Sequence, residues 1–235
     1  MFAKDIEYIM KSRHSVRAFK DKKVSKLIIQ EILEAASRAP SGCNTQPWRV
    51  YVVQGSVRDE IVNAVCQVYD DSIDKPGIKS QYQAAYDYYP QEWFSPYIER
   101  RRENGWGLYG LLGIEKQDKD KMSAQQRRNF MLFDAPVGLF LTFDRRLGTG
   151  SKMDISMFIQ NILLMAIAKG LDTCPQAAWN EYQSIVLPKI KAGKDEELLC
   201  TIALGYADKT QIVNEFTTPR EPVDSFTTWL GFDES

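Results

Sequence analysis

The sequence predicts a fold of the α/β or α+β class built around one central sheet. Stretches with helical spacing outnumber stretches with the character of strands, and helices separate the strands. The 235 residues also show no internal repeat and no flexible linker. With 44% hydrophobic composition, one domain over residues 1–235 has enough apolar material for a sizeable core.

Taken in order, residues 4–12 suit a short amphipathic helix with Ile6, Ile9 and Met10 on one face. "VSKLIIQEILEAASRAPSG" suits a stronger one. Ser25 is placed to cap it, Leu27, Ile28, Ile32, Leu33 and Ala36 follow helical spacing, and Pro40 and Gly42 end it. Residues 49–54 are short and β-rich, hence a strand. "SVRDEIVNAVCQVYDD" returns to helical spacing. Residues 71–96 are polar, aromatic and proline-punctuated, an excursion from the core. It continues to about residue 115 through the helical stretch "FSPYIERRRENGWGLYGLLGIE". "KDKMSAQQRRNFMLFDAP" reads as helix up to Pro136, and residues 137–143 as a buried strand. Residues 151–169 form the longest helix, apolar nearly all round and so expected to run through the core or be covered on several sides. Residues 198–206 give the third strand. The tail, about 208–235, is broken by prolines yet keeps Phe226, Trp229 and Leu230. It should dock on something, in a homo-oligomer on the partner subunit.

Charge and composition exclude several classes. Thirty basic residues balance 31 acidic ones, which argues against a dedicated nucleic-acid binder. Cys43, Cys66, Cys174 and Cys200 are widely spaced with no C-x-x-C pair, and there is one histidine. That is no zinc site and no disulfide framework, and it suits a reducing, cytoplasmic compartment. The opening "MFAKDIEYIMKSR" does not read as a signal peptide. "MFIQNILLMAIAKG" is too short for a bilayer and is interrupted by Gln160 and Asn161.

Some motifs fail on context. "GWGLYG" (residues 105–110) matches the dinucleotide pattern G-x-G-x-x-G, but "ERRREN" precedes it where a hydrophobic strand is required. Small residues that let a helix approach something flat are the other reading. A nucleophilic Cys43 with His14 as its base has no support, and no G-x-S-x-G elbow is present. Arg100, Arg101 and Arg102 read as solvated helix surface, with an anion-facing role for one of them as the alternative.

Three pieces remain. "SRHSVRAFK" (residues 12–20) holds Arg13, His14, Ser15 and Arg17. Arg13 and Arg17 are four apart, so one helical turn would turn both toward one ligand. The stretch is either a solvated face or an anion site. "APSGCNTQPWRV" is a loop with Ser41, Asn44, Thr45, Gln46 and Trp48, able to read the polar edge of a heterocycle or simply to satisfy its own turns. "TPREPVDSF" sets Arg220 between two prolines, a rigid mounting for an arginine.

In this order and at these distances, and with "GLDTCPQAAW" and "LLCTIALGYAD", the pieces resemble the FMN-dependent nitroreductase family over nearly the whole chain. "GLDTCPQAAW" and "WGLYGLLGIEKQD" look closest to the branch that includes nitrobenzoate-type reductases. The resemblance implies an α+β fold: a mixed, mostly antiparallel central sheet flanked by helices, in an intertwined homodimer whose tail crosses to the partner. It implies FMN as cofactor and NADH or NADPH as electron donor. Arg13, His14 and Arg220 would surround the FMN phosphate, Ser15 would bond the phosphate or ribityl chain, and Arg17 would reach the pyrimidine edge of the flavin. Pro40, Ser41 and Asn44 would contact the ring, partly from the other subunit, with Gln46 beside them. Near Pro175 a backbone N–H would face the hydride-accepting nitrogen, and since Pro175 has none, Gln176 or Ala177 must supply it. Gly205 would let the cofactor approach the end of the last strand. Trp93, Phe94, Trp106 and Tyr109 are expected to wall the acceptor pocket. The flavin carries the chemistry, so no residue is expected to serve as an essential general base, and no metal is implied. The implied activity is ping-pong reduction of a small nitroaromatic or quinone acceptor, with no nucleic acid or membrane involved. Reductive dehalogenation, flavin cleavage, or flavin binding without turnover are the alternatives on the same fold.

Overall fold

A computed structural model describes residues 2–79 and 81–232. Its sheet has four strands, β1 (Arg49–Gln54), β2 (Val137–Asp144), β3 (Asp172–Gln176) and β4 (Glu196–Gly205), in the order β1-β2-β4-β3. All three neighbouring pairs are antiparallel. Among the described residues the one parallel pairing is an isolated bridge of Ser15 to Thr173. The two central strands are buried along almost their whole length, as their apolar runs require.

The fourth strand, β3, is absent from the sequence reading, because Asp172 and Pro175 lie inside it. It survives because it is an edge strand, where a residue without an N–H need not break the ladder.

One face of the sheet is covered by α2 (Lys26–Ala36) and α7 (Thr149–Ala168). Ile29, Ile32, Ile155, Phe158 and Ile162 pack there on Leu139, Leu141, Ile202 and Leu204. The other face is covered by α3 (Gly55–Asp74), α8 (Gln183–Lys189) and short 3-10 turns, through Ile61, Val65, Phe130, Trp179, Tyr182 and Val186. Ser25 caps α2 as expected, its Oγ accepting from the Ile28 N–H at 3.3 Å. The buried stripe of α2 is rotated from the expected one: Ile29 is buried and Leu27 is 65% exposed.

The remaining helices stand at the periphery: α1 (Phe2–Ser12), α4 (Pro76–Lys79), α5 (Tyr97–Leu111) and α6 (Lys119–Arg127). The helix expected up to Pro136 ends at Arg127, and a 3-10 stretch from Arg128 to Asp134 follows. Leu132, Phe133 and Asp134 all have positive φ, 53°, 51° and 67°. That conformation is costly for residues with a Cβ. It turns Leu132 and Phe133 into the core, where both are almost wholly buried. Arg58 braces the kink, donating to the Met131 and Ala135 carbonyls at 3.0 Å each.

Helix α7 is long and apolar enough to cross a membrane by length and composition, which the shorter stretch read from the sequence was not. Its sheet-facing residues are in the core, and Trp48 stacks flat on Phe158 at 4.7 Å. The expected cover on several sides is not found within one chain, since Met153 and Met157 face outward. All four cysteines are free.

Candidate functional site

The cationic segment lies directly after α1 and is extended. Val16 and Ala18 point into the core while Arg13, Ser15 and Arg17 are half-buried on the other side. The three functional residues therefore share a face through a period of two, not through the helical turn expected from their spacing. Strand-like pairing fixes this, with Val16 N–H donating to the Thr173 carbonyl at 3.0 Å beside the Ser15–Thr173 bridge. The edge position of β3 leaves it free to take this partner.

The tail is clamped onto the same segment by Asn214. Its Oδ1 accepts from the Arg17 and Ala18 N–H groups at 2.8 and 3.2 Å, and its Nδ2 donates to the carbonyls of Ala18 and Asp208. This carries the following residues across the mouth of the site. The Arg17 guanidinium lies over the Phe216 ring at 5.8 Å. Phe216 also lies against α5 at Gly107, where an added Cβ would come within 2.9 Å of the ring. Gly107 thus permits close approach of a flat side chain to the helix, whereas an added Cβ at Gly105 or Gly110 would meet nothing within 4 Å. Arg220 donates to Thr218 Oγ1 at 2.7 Å and to the Pro219 carbonyl at 2.8 Å, so the mounting suggested by the flanking prolines is made by its own neighbours.

These elements enclose a cavity of about 530 Å³ whose lining includes Arg13, His14, Ser15, Arg17, Asn104 and Arg220. Burial and the charge of Arg220 both push the Arg13 pKa below the ordinary arginine value. Among the described residues, no carboxylate forms an ion pair with Arg13, Arg17 or Arg220. Like charges held together without a counter-charge are suited to an anion, and guanidinium groups match phosphate oxygens two at a time. His14 Nδ1 is 3.1 Å from the Ser12 carbonyl, so that nitrogen carries a proton.

A second cavity, about 570 Å³, shares Arg17 and Asn104 with the first and adds Arg101, Arg102, Trp106, Tyr109, Gln126 and Asn129. A third, also about 570 Å³, shares Tyr89, Gln126 and Asn129 with the second and reaches Pro175, Gln176 and Ala177. The three form one groove from the arginines to the end of β3. Gln176 is almost fully buried, and its Nε2 donates to the Asn129 carbonyl at 2.7 Å, which also accepts from Trp179 Nε1 at 3.0 Å. Its Oε1 is left without a partner inside the groove wall. Behind the first cavity, burial pushes the Cys174 thiol up to about 11, against the pull of Arg17, Ser15 and Arg13.

Other expected site residues are placed elsewhere. Pro40, Ser41, Asn44 and Gln46 line none of these cavities. Their loop sits at the start of α7, the Gly42 N–H donating to Asp154 Oδ2 at 3.2 Å, whereas α1 packs near the far end of that helix beside Leu164, Met165 and Ala168. The loop holds Cys43, Asn44 and Gln46 at φ of 50°, 56° and 48°, with the Gln46 N–H bonded to Ser41 Oγ at 3.0 Å. Gly205 is buried, and a Cβ there would come within 2.7 Å of Pro136 and 3.1 Å of Phe19. The chain's own packing therefore accounts for glycine at this position. Of the four aromatic wall residues, Trp106 and Tyr109 line the groove. Trp93 supports it, stacking under Arg101 at 4.8 Å and beside Tyr89 at 5.3 Å. Phe94 is 60% exposed, packs on Tyr97 and lines none of the three cavities.

Asn104, Tyr89, Gln126, Asn129, Asn214 and Phe216 were not among the expected site residues. A signal for part of this wall was present: Arg102, Trp106 and Tyr109 follow i, i+4, i+7 spacing on α5 and so share a face.

Comparison with known proteins gives one consistent result. Residues 10–206 match the family model described as "Nitroreductase family". A 4-nitrobenzoate reductase of Nocardioides sp. (strain LMS-CY) is 37% identical over 227 residues, covering 96% of this chain and 90% of that protein. The crystal structure of an FMN and NADPH-dependent nitroreductase NfnB from Sphigopyxis sp. strain HMH superposes with a TM-score of 0.90 at 36% identity, covering 97% of this chain and 99% of that one. An FMN-dependent nitroreductase NfnB from Mycobacterium smegmatis, solved in complex with NADPH, gives a TM-score of 0.90 at 28% identity over 98% of this chain and all of its own.

Proposed function

Since the chain belongs to the nitroreductase family, we propose that it is an FMN-dependent oxidoreductase that uses NAD(P)H to reduce nitroaromatic compounds. We extend the reading to quinone acceptors, a ping-pong order, a homodimer and a cytoplasmic location. The observation that carries the cofactor assignment is the cluster of Arg13, Arg17 and Arg220 around one cavity, with no carboxylate ion-paired to them among the described residues. A terminal phosphate supplies the missing charge and accepts the guanidinium donors and the Ser15 hydroxyl.

FMN, when bound, supplies the chemistry: it takes hydride from a nicotinamide and returns two electrons to an acceptor. The chain's own work is binding and orientation. Arg13, Arg220, His14 and Ser15 hold the phosphate end. Arg17, set between the first and second cavities, would place a fixed positive charge next to the bound cofactor and so favour its uptake of electrons. Ala177 and Gln176 present backbone at the far end, where Pro175 cannot donate. Trp106 and Tyr109 offer aromatic edges and faces to flat reactants, and one groove serving donor and acceptor in turn gives ping-pong kinetics.

The testing experiment is the visible spectrum of the purified protein before and after anaerobic NADH or NADPH. The reading expects flavin absorption that bleaches with the nucleotide and returns when a nitroaromatic is added. Flavin bands that NAD(P)H does not bleach would instead identify a flavin-binding protein without turnover.

A further inference from the structure

Arg101 and Arg102 have no role in the reading above, yet both line the second cavity of the groove. Neither has a carboxylate partner among the described residues, whereas the adjacent Arg100 is tied to Glu221 at 3.0 Å. The helix separates them. Arg102, Trp106 and Tyr109 follow i, i+4, i+7 spacing, as do Arg101, Gly105 and Leu108 beside them, and all six border the same cavity. Arg100 lines a different cavity, next to the tail. Trp93 lies under the Arg101 guanidinium and restricts it, so less freedom is lost on binding an anion. Gly105 leaves the floor open: a Cβ there would meet nothing within 4 Å.

From this juxtaposition we infer that Arg101 and Arg102 form an anion subsite that selects aromatic acceptors bearing a carboxylate. The inference rests on the nitroaromatic-reductase reading and names its substrate class. A flat ring lies against Trp106 and Tyr109 while a carboxylate on that ring meets a guanidinium from the same helix face. The 2′-phosphate of NADPH is the other anion two arginines would hold. In that nucleotide a ribose separates the charge from the adenine ring, and the reactive ring stands at the far end of a long molecule. A cavity that places cations beside aromatic side chains suits a ligand whose ring and charge are directly bonded.

The test uses the holoenzyme with matched probes. Benzoate and benzamide have the same shape and differ in charge, and neither is reduced, so calorimetric titration reads binding without turnover. Benzoate should bind at least tenfold more tightly than benzamide, and Arg101→Gln with Arg102→Gln should abolish that preference, while Arg102→Lys should retain part of it. In turnover, the ratio of kcat/KM for 4-nitrobenzoate over 4-nitrobenzamide should fall at least tenfold in the double variant, chiefly through KM. Equal binding of benzoate and benzamide by the unaltered enzyme overturns the subsite. So does a double variant whose only defect is a slower reductive half-reaction with NADPH and not with NADH, which assigns the arginines to the 2′-phosphate. Benzoate selectivity without reduction of any nitroaromatic would sustain the anion subsite and count against the activity reading instead.

Discussion

At the scale of single residues, the site is defined by charge without counter-charge. Arg220 is exposed and bonded only to its own neighbours Thr218 and Pro219, so it contributes little to the fold. Arg220→Ala should therefore leave the melting temperature of the flavin-free protein within about a degree or two. It should weaken FMN binding by roughly 10- to 100-fold, the range expected for one charge-assisted hydrogen bond to phosphate. Fluorescence of released flavin on dilution measures this, and unchanged affinity would remove Arg220 from the phosphate end. Cys174 and Tyr182 make a prediction about alkali. Burial raises the Cys174 thiol from 9.0 to about 11 and the Tyr182 phenol from 10.0 to about 12. Groups whose folded-state pKa is raised hold more protons in the native state, so their stabilisation is complete below the unfolded values. It is lost as pH climbs through the folded ones. Denaturant midpoints should thus decline between about pH 9 and pH 12, and Cys174→Ala should make the decline shallower without moving its onset, because burial raises the Cys200 thiol to about 11 as well. The residues of this site were legible as types but not as geometry. Arg13, Ser15 and Arg17 could be picked out, yet helical and extended spacing both put them on one face, and only the pairing with β3 decides between them.

At the scale of elements, α5 shows two glycines with opposite duties. Glycine in a helix costs about 1 kcal/mol relative to alanine, so either substitution should stabilise the helix if space allows. At Gly105 there is space, and Gly105→Ala should raise thermal stability while raising KM for flat acceptors, because the new methyl enters the groove. At Gly107 the methyl would lie 2.9 Å from the Phe216 ring. Gly107→Ala should push that ring away and loosen the tail over Arg17. Thermal melts should move in opposite directions, up for Gly105→Ala and down for Gly107→Ala, and FMN affinity should fall for Gly107→Ala while staying nearly intact for Gly105→Ala. If both behave alike, the contact with Phe216 does not govern the tail. Elements with a strong apolar period were readable from sequence, as β2 and β4 were. Two features were not. β3 carries a proline that only an edge position tolerates, and the kink at Leu132 and Phe133 uses left-handed backbone without a glycine to announce it.

At the scale of the molecule, the single chain leaves large apolar side chains exposed. Helix α7 shows Met153 and Met157 on its outer side, and Phe226, Trp229 and Leu230 in the tail are 70%, 59% and 81% exposed. Apolar surface of this kind is normally covered. The loop with Ser41, Asn44 and Gln46 is equally telling: it holds three residues in left-handed backbone, yet it borders no part of the groove in its own chain. We propose that in the homodimer the loop of one subunit reaches the groove of the other, so that each FMN site takes residues from both chains. That arrangement has a sharp consequence. Arg13→Ala and Asn44→Ala should each lower FMN affinity as homodimers. Refolded together in equal amounts, half the dimers contain one chain of each kind. If the sites are composite, each mixed dimer has one site with both defects and one with neither, so roughly a quarter of all sites regain full affinity. If every site is built from a single chain, mixing restores none. A flavin titration of the mixture at a concentration between the two affinities counts the recovered sites directly, and a count of zero would refute the shared site.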